Sequence, residues 1–330
     1  DVAYDATRAN LGELDFSRTG TLVYRRGGAS TGAFIVKWIE AGGKTEPLLA
    51  RPGLYQRPIL SPDGQRLALL VEGDIWVYDW QRDTMTRLTF TGAGVNIWSP
   101  DGRYIVFSAP GGMFWIRSDG AGRPQPLTQS KDVQNPASFS PDGKVLAFEV
   151  RAGKTGLDMW TVPIESDGAG LRAGKPEMFL QTPADDSSPA LSPDGDWLAY
   201  ISDKSGTNQL YVRAFPHTGS EWQISNNGVT FPPMWSRTSR ELFFETLDTR
   251  QIMVVSYTVK GDSFVAEKPR LWSETKLVDR GGQRNVGIAP DGKRFAAFMP
   301  AEGPEAQQAQ NQVVFLMNFV DELRRRVPAG

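Results

Sequence analysis

"ALSPDGDWLAYISD", residues 190–203, contains a four-residue word, Ser-Pro-Asp-Gly, that decides how this chain is read. The same word stands at Ser61-Pro62-Asp63-Gly64, Ser99-Pro100-Asp101-Gly102 and Ser140-Pro141-Asp142-Gly143. Looser forms are Ser17-Arg18-Thr19-Gly20, Ser236-Arg237-Thr238-Ser239 and Ala289-Pro290-Asp291-Gly292. The second positions, 18, 62, 100, 141, 193, 237 and 290, are separated by 44, 38, 41, 52, 44 and 53 residues. A period in the forties is that of four-stranded propeller blades.

Residues 56–90 show one unit in full. "QRPILS" reads as a strand, the tetrad as a turn, and "RLALLV", "DIWVYDW" and "TMTRLTF" as three further strands. The third strand returns as "MFWIRS", "DMWTVPI", "QLYVRAF" and "QIMVVSY", with aromatic and aliphatic residues alternating. Period-two alternation suits strands packed between two other sheets. The tetrad suits a tight hairpin: Pro presets φ, Asp tolerates the next position, and Gly takes the left-handed one. A calcium loop would need several oxygen ligands within one tetrad, and each tetrad offers one carboxylate.

The sequence therefore predicts an all-β fold, one β-propeller domain over residues 1–330 with seven four-stranded antiparallel blades, six being the alternative. The units open near 11, 55, 95, 134, 187, 230 and 284, and residues 1–9 are expected to close the last blade. The stretch "FVDELRRRV" (319–327), acids first and arginines last, reads as a short C-terminal helix matched to its dipole.

Composition removes several functions. The chain has 330 residues, no Cys and one His, and its net charge is −2. Disulfides, thiolate chemistry and Cys-based metal sites are excluded. A near-neutral balance disfavours nucleic acid as a partner. No apolar run is long enough to span a bilayer, so membrane insertion by these residues is not expected. A first residue other than Met reads as a processed product or an excised domain.

The alternation and turns resemble the WD-like repeats of the TolB-like propellers. "LYVRAFPHTGSEWQIS" (210–225), "MWSRTSRELFF" (234–244) and the end of the chain are similar to the C-terminal propeller of membrane-anchored bacterial serine/threonine kinases, abundant in acidobacteria. That resemblance implies an extracytoplasmic, periplasmic sensor or interaction module tethered to a kinase. The kinase motifs themselves are absent from these residues.

Catalytic constellations are sparse. A Ser-His-Asp triad would have to use His217, which falls in a turn and reads as a solvated residue. No Gly-x-Ser-x-Gly elbow occurs, and a multi-histidine zinc site is impossible. The paired acids Asp185 and Asp186, with Asp203 near, are the one carboxylate group worth testing for hydrolase or lyase chemistry. No cofactor and no metal are expected.

Topology supplies a better candidate. Loops leading into the first strand of each unit share one face, opposite the tetrad turns. They carry Tyr55, Gln56, Arg57, Asn96, Gln134, Asn135, Asp185, Asp186, Asn226, Asn227, Arg284 and Asn285. Polar groups converging on a concavity are the default binding site, here for a protein, a peptide or a small polar ligand. The leading expectation is a non-catalytic sensor or interaction propeller. A carboxylate-based propeller enzyme and a structural scaffold are the alternatives.

Overall fold

In the computed structural model the described residues are 33–301, except 152–155, 217–218, 231 and 281–283, together with the backbone of short strands between Tyr4 and Arg25 and of Val313–Leu316. His217 and the stretch 319–327 read as a helix lie outside the described residues. Every described element is a strand, and no helix occurs among them.

Six sheets of at least four antiparallel strands succeed one another. Blade one is built from Tyr55–Leu60, Arg66–Val71, Asp74–Asp79 and Thr84–Arg87. Blades two to five begin at Asn96–Trp98, Val133–Phe139, Asp186–Leu191 and Met234–Trp235. In blades three and five the long third strand pairs with two short outer strands rather than one.

Blade six corrects the expectation of seven. Its first two strands, Val286–Ile288 and Arg294–Pro300, come from the end of the chain. Its outer two, Phe34–Glu40 and Thr45–Gly53, come from the beginning. Arg294 pairs with Glu40 and Pro300 with Phe34, so the two ends of the chain share one sheet. Counting turns overcounted blades because the strands on either side of the 17–20 word lie outside the six blades. Its flanking strands, Leu14–Phe16 and Leu22–Arg25, pair with each other, and Leu22–Arg25 also pairs with Val313–Leu316 in a separate three-stranded sheet. Of residues 1–9, the described pair Tyr4–Asp5 is joined to Leu11–Gly12.

The physical reason lies in the alternation of "FIVKWIE". Val36 and Trp38 join Ala296 and Phe298 on one side of blade six, packing toward blade one with Leu67, Leu69 and Tyr78. Ile39, Phe295 and Ala297 face the other way, toward Phe243, Ile252 and Val254 of blade five. A sheet apolar on both faces needs a neighbour on each side, and only a closed ring supplies both. The remaining four core clusters join blades one and two, two and three, three and four, and four and five. Six clusters thus fill six seams. Radial repetition leaves each blade only the short edge of its outermost strand open to association.

The first strands of successive blades contact one another, so they are innermost and surround the central axis. Two tryptophans tie them across seams: Trp98 Nε1 donates to Ile59 O at 3.0 Å and Trp235 Nε1 to Ala190 O at 2.8 Å.

Candidate functional site

The tetrads form a structural girdle at one end of the axis. In the first, Ser61 Oγ donates to Asp63 Oδ1 at 2.5 Å and accepts from Arg66 N at 2.9 Å, while Gln65 N donates to Asp63 at 3.0 Å. The same bonds recur at Ser99, Ser140 and Ser192. Gly64 takes φ +68°, and a Cβ there would stand 3.2 Å from Pro290 of the neighbouring turn. Gly102, Gly143 and Gly195 face Pro62, Pro100 and Pro141 in the same way. Each aspartate is engaged within its own turn, which is a reason for the word to recur that needs no ligand.

The chemistry of interest lies on the first strands. In blades one and four an irregularity breaks the register, between Gln56 and Ile59 and between Ser187 and Ala190. Each breakpoint holds a non-glycine residue in the left-handed region, Arg57 at φ 52° and Ser188 at φ 58°, and each precedes a proline. Bulges re-aim side chains, and a left-handed Arg carries local strain.

Glu149, on the second strand of blade three, reaches this zone. It accepts from Ser188 N at 2.9 Å and from Asn135 Nδ2 at 3.3 Å. Burial pushes its carboxyl up, against those bonds and the Arg57 charge. The Arg57 guanidinium is lowered by burial and supported by Glu149. Arg284 is pushed down to about 10, first by burial and then by the like charge of Arg57.

Arg284 also lines a cavity of about 140 Å³ between blades five, six and one, with Arg237, Met234, Ile59, Ser61 and Gly287 among its walls. Arg237 replaces the proline of the tetrad in blade five and reaches back to Pro62 O of blade one at 3.4 Å. A broader, shallow depression on blade two, bounded by Gly111, Phe114, Thr128 and Lys131, is open to solvent and carries no convergent charge.

The structure sorts the twelve sequence candidates into three groups. Arg57, Asn135 and Arg284 stand in the zone just described. Five others are buried in the scaffold, and the partly exposed Asp185 is engaged with it. The Tyr55 ring is buried in the seam between blades six and one, and its carbonyl accepts from Arg280 Nη1 at 2.5 Å. Gln134 accepts from Thr128 Oγ1 at 2.5 Å. Asn285 is buried and donates to Val278 O. Asn96 is fully buried, with neither side-chain atom partnered among the described residues.

Asp185 accepts from Leu157 N at 2.6 Å, and its own N–H donates to Asp203 at 2.9 Å. Asp186 is buried, accepts from Thr182 Oγ1 at 2.6 Å, and burial raises its carboxyl. The two acids thus turn to different partners. The remaining three, Gln56, Asn226 and Asn227, are partly buried or exposed, and the two asparagines sit outside the axial zone on the loop after blade four. Glu149 and Arg237 were missed. Glu149 was signalled by a charge interrupting "VLAFEVR", and Arg237 by the departure of its tetrad from the repeat.

Among the described residues no group of three or more His, Asp or Glu is placed to hold a metal ion. No described helix is long and apolar enough to cross a membrane.

A six-membered ring of blades with at least four strands each, closed by segments from both ends of the chain, defines a six-bladed β-propeller. A TolB from Agrobacterium tumefaciens superposes with a TM-score of 0.58 at 18% identity, covering 81% of this chain and 97% of that one. TolB from Acinetobacter baumannii gives 0.51 at 14% identity, over 82% and 65%. Identities this low carry the fold and nothing further. Among curated proteins the peptidase YuxL of Bacillus subtilis is 28% identical over 158 residues, 46% of this chain. The match spans only 22% of YuxL's length. No family model matches.

Proposed function

We propose that this propeller is a non-catalytic binding module, the extracytoplasmic sensor or interaction part of a bacterial serine/threonine kinase, which receives its partner along the central axis. One observation carries the binding reading: charged and amide side chains from several blades converge beside the innermost strands. Arg57 and Asn135 stand on first strands, Glu149 on a second strand and Arg284 just before the first strand of blade six. The acids once set aside for hydrolysis, Asp185 and Asp186, hold loop backbone and hydroxyl groups instead. The kinase link rests on the sequence resemblance of residues 210–225 and 234–244.

Two experiments test the reading. Incubation with chromogenic aminoacyl and glycosyl substrates is expected to give no turnover above buffer. Turnover abolished by Asp185→Asn or Asp186→Asn would replace the module with an enzyme. Reading the coding sequence upstream of Asp1 is expected to show a kinase domain followed by a membrane-spanning segment, and any other arrangement removes the kinase link.

A further inference from the structure

We infer that the arginines between blades five, six and one form a seat for a single carboxylate group, carried into the axis by an acidic peptide segment. The inference rests on the binding-module reading above and names its ligand class.

Three observations converge. Arg284 and Arg237 border one cavity, and among the described residues no acidic one is in its walls. Arg57 stands on the adjoining strand, where blades six and one approach so closely that a Cβ on Gly287 would lie 2.6 Å from Pro58 O. Among the described residues neither Arg57 nor Arg284 has a carboxylate within ion-pair distance, although the chain as a whole carries a net charge of −2.

Arg57 and Arg284, both partly buried, act on one another as like charges across the seam, and an anion beside them relieves that repulsion. Guanidinium forks match the two oxygens of a carboxylate. The volume, about 140 Å³, is that of roughly four or five waters, enough for one such group and too small for a nucleotide. Glu149 faces Arg57 from blade three and reduces the local positive charge, which favours a monoanion over a phosphate dianion. A peptide-borne acid can add contacts along the axis that a free ion cannot, and the partly exposed Gln56 lies beside Arg57 on the first strand of blade one.

The test is isothermal titration of the purified chain with an N-acetylated, C-amidated tetrapeptide bearing one Glu, its Gln counterpart, sodium acetate and inorganic phosphate. The Glu peptide is expected to bind at least about tenfold more tightly than the Gln peptide, and more tightly than acetate or phosphate. Arg284→Met, which keeps much of the side-chain volume, is expected to erase that difference, and Arg284→Lys to restore part of it. Circular dichroism melting would verify that both variants fold.

Equal binding of the Glu and Gln peptides, or of native protein and the Met variant, overturns the carboxylate seat and leaves the binding module standing. Tighter binding of acetate overturns the peptide source, and tighter binding of phosphate overturns the monoanion. Absence of binding by all four probes overturns the proposal. Cleavage of either peptide would overturn the non-catalytic reading instead.

Discussion

Ring closure can be tested with a single methyl group. Gly287 lies on the innermost strand of blade six, and a Cβ there would stand 2.6 Å from Pro58 O on blade one. Ordinary van der Waals contact begins at 3.4 Å, so Gly287→Ala must open the seam by about 0.8 Å, the difference between the two. The obstacle is a backbone carbonyl at the register break of blade one's first strand, which is less free to swing aside than a side-chain tip. Gly287 is not in the left-handed region, so the effect is steric rather than conformational.

Overpacking of this kind costs about 1–3 kcal/mol, and the stiffer unfolded chain returns about 0.4–1 kcal/mol. A net loss of about 1–2 kcal/mol is expected. Gly42→Ala is the matched control. It lies in the hairpin of the same blade with nothing within 4 Å and without positive φ, so it should be neutral or slightly stabilising. In urea unfolding followed by tryptophan fluorescence, the midpoint should fall for Gly287→Ala with the slope unchanged. A Gly287→Ala midpoint equal to that of the native protein or of Gly42→Ala would refute the close seam.

Other predictions follow from single contacts. Trp98→Phe and Trp235→Phe each delete one bond between first strands and should each cost about 1 kcal/mol, nearly additively because the seams are separate; strongly non-additive denaturation midpoints would show that the seams are coupled. Ser192→Ala removes a hydroxyl that donates to Asp194 and accepts from Trp197 N, with an expected loss of about 1–2 kcal/mol in the same assay. Glu245 has no solvent exposure, and burial pushes its carboxyl up to about 8 despite Arg250 at 3.7 Å. The folded state then keeps a proton that the unfolded chain releases near 4.5, so stability should fall as pH rises from about 4.5 toward 8. Glu245→Gln should flatten that decline, and a native-minus-variant difference that stays constant between pH 5 and 8 would exclude the assignment.

The blade itself is legible in the sequence because its determinants are local. A left-handed glycine, a proline with preset φ and a Ser–Asp pair make the tetrad turn wherever they occur, and alternation along "RLALLV" or "QLYVRA" sets the two faces of each strand. Blade number is not local. The looser tetrad at 17–20 falls in step with the period, and only the pairing of Arg294–Pro300 with Phe34–Glu40 shows that the ring closes at six. That pairing joins residues from opposite ends of the chain, which no window of sequence contains.

The site divides along the same line. Facing loops and a polar axis follow from the repeat alone. Which polar residues remain available was decided by tertiary contacts, since Tyr55, Gln134, Asp185 and Asn285 satisfy the scaffold while Arg57 and Arg284 are brought together only where blade six meets blade one. Turn geometry and strand periodicity are properties of a few consecutive residues. Closure and the meeting of like charges belong to the ring, and exist only once the chain's ends have been joined.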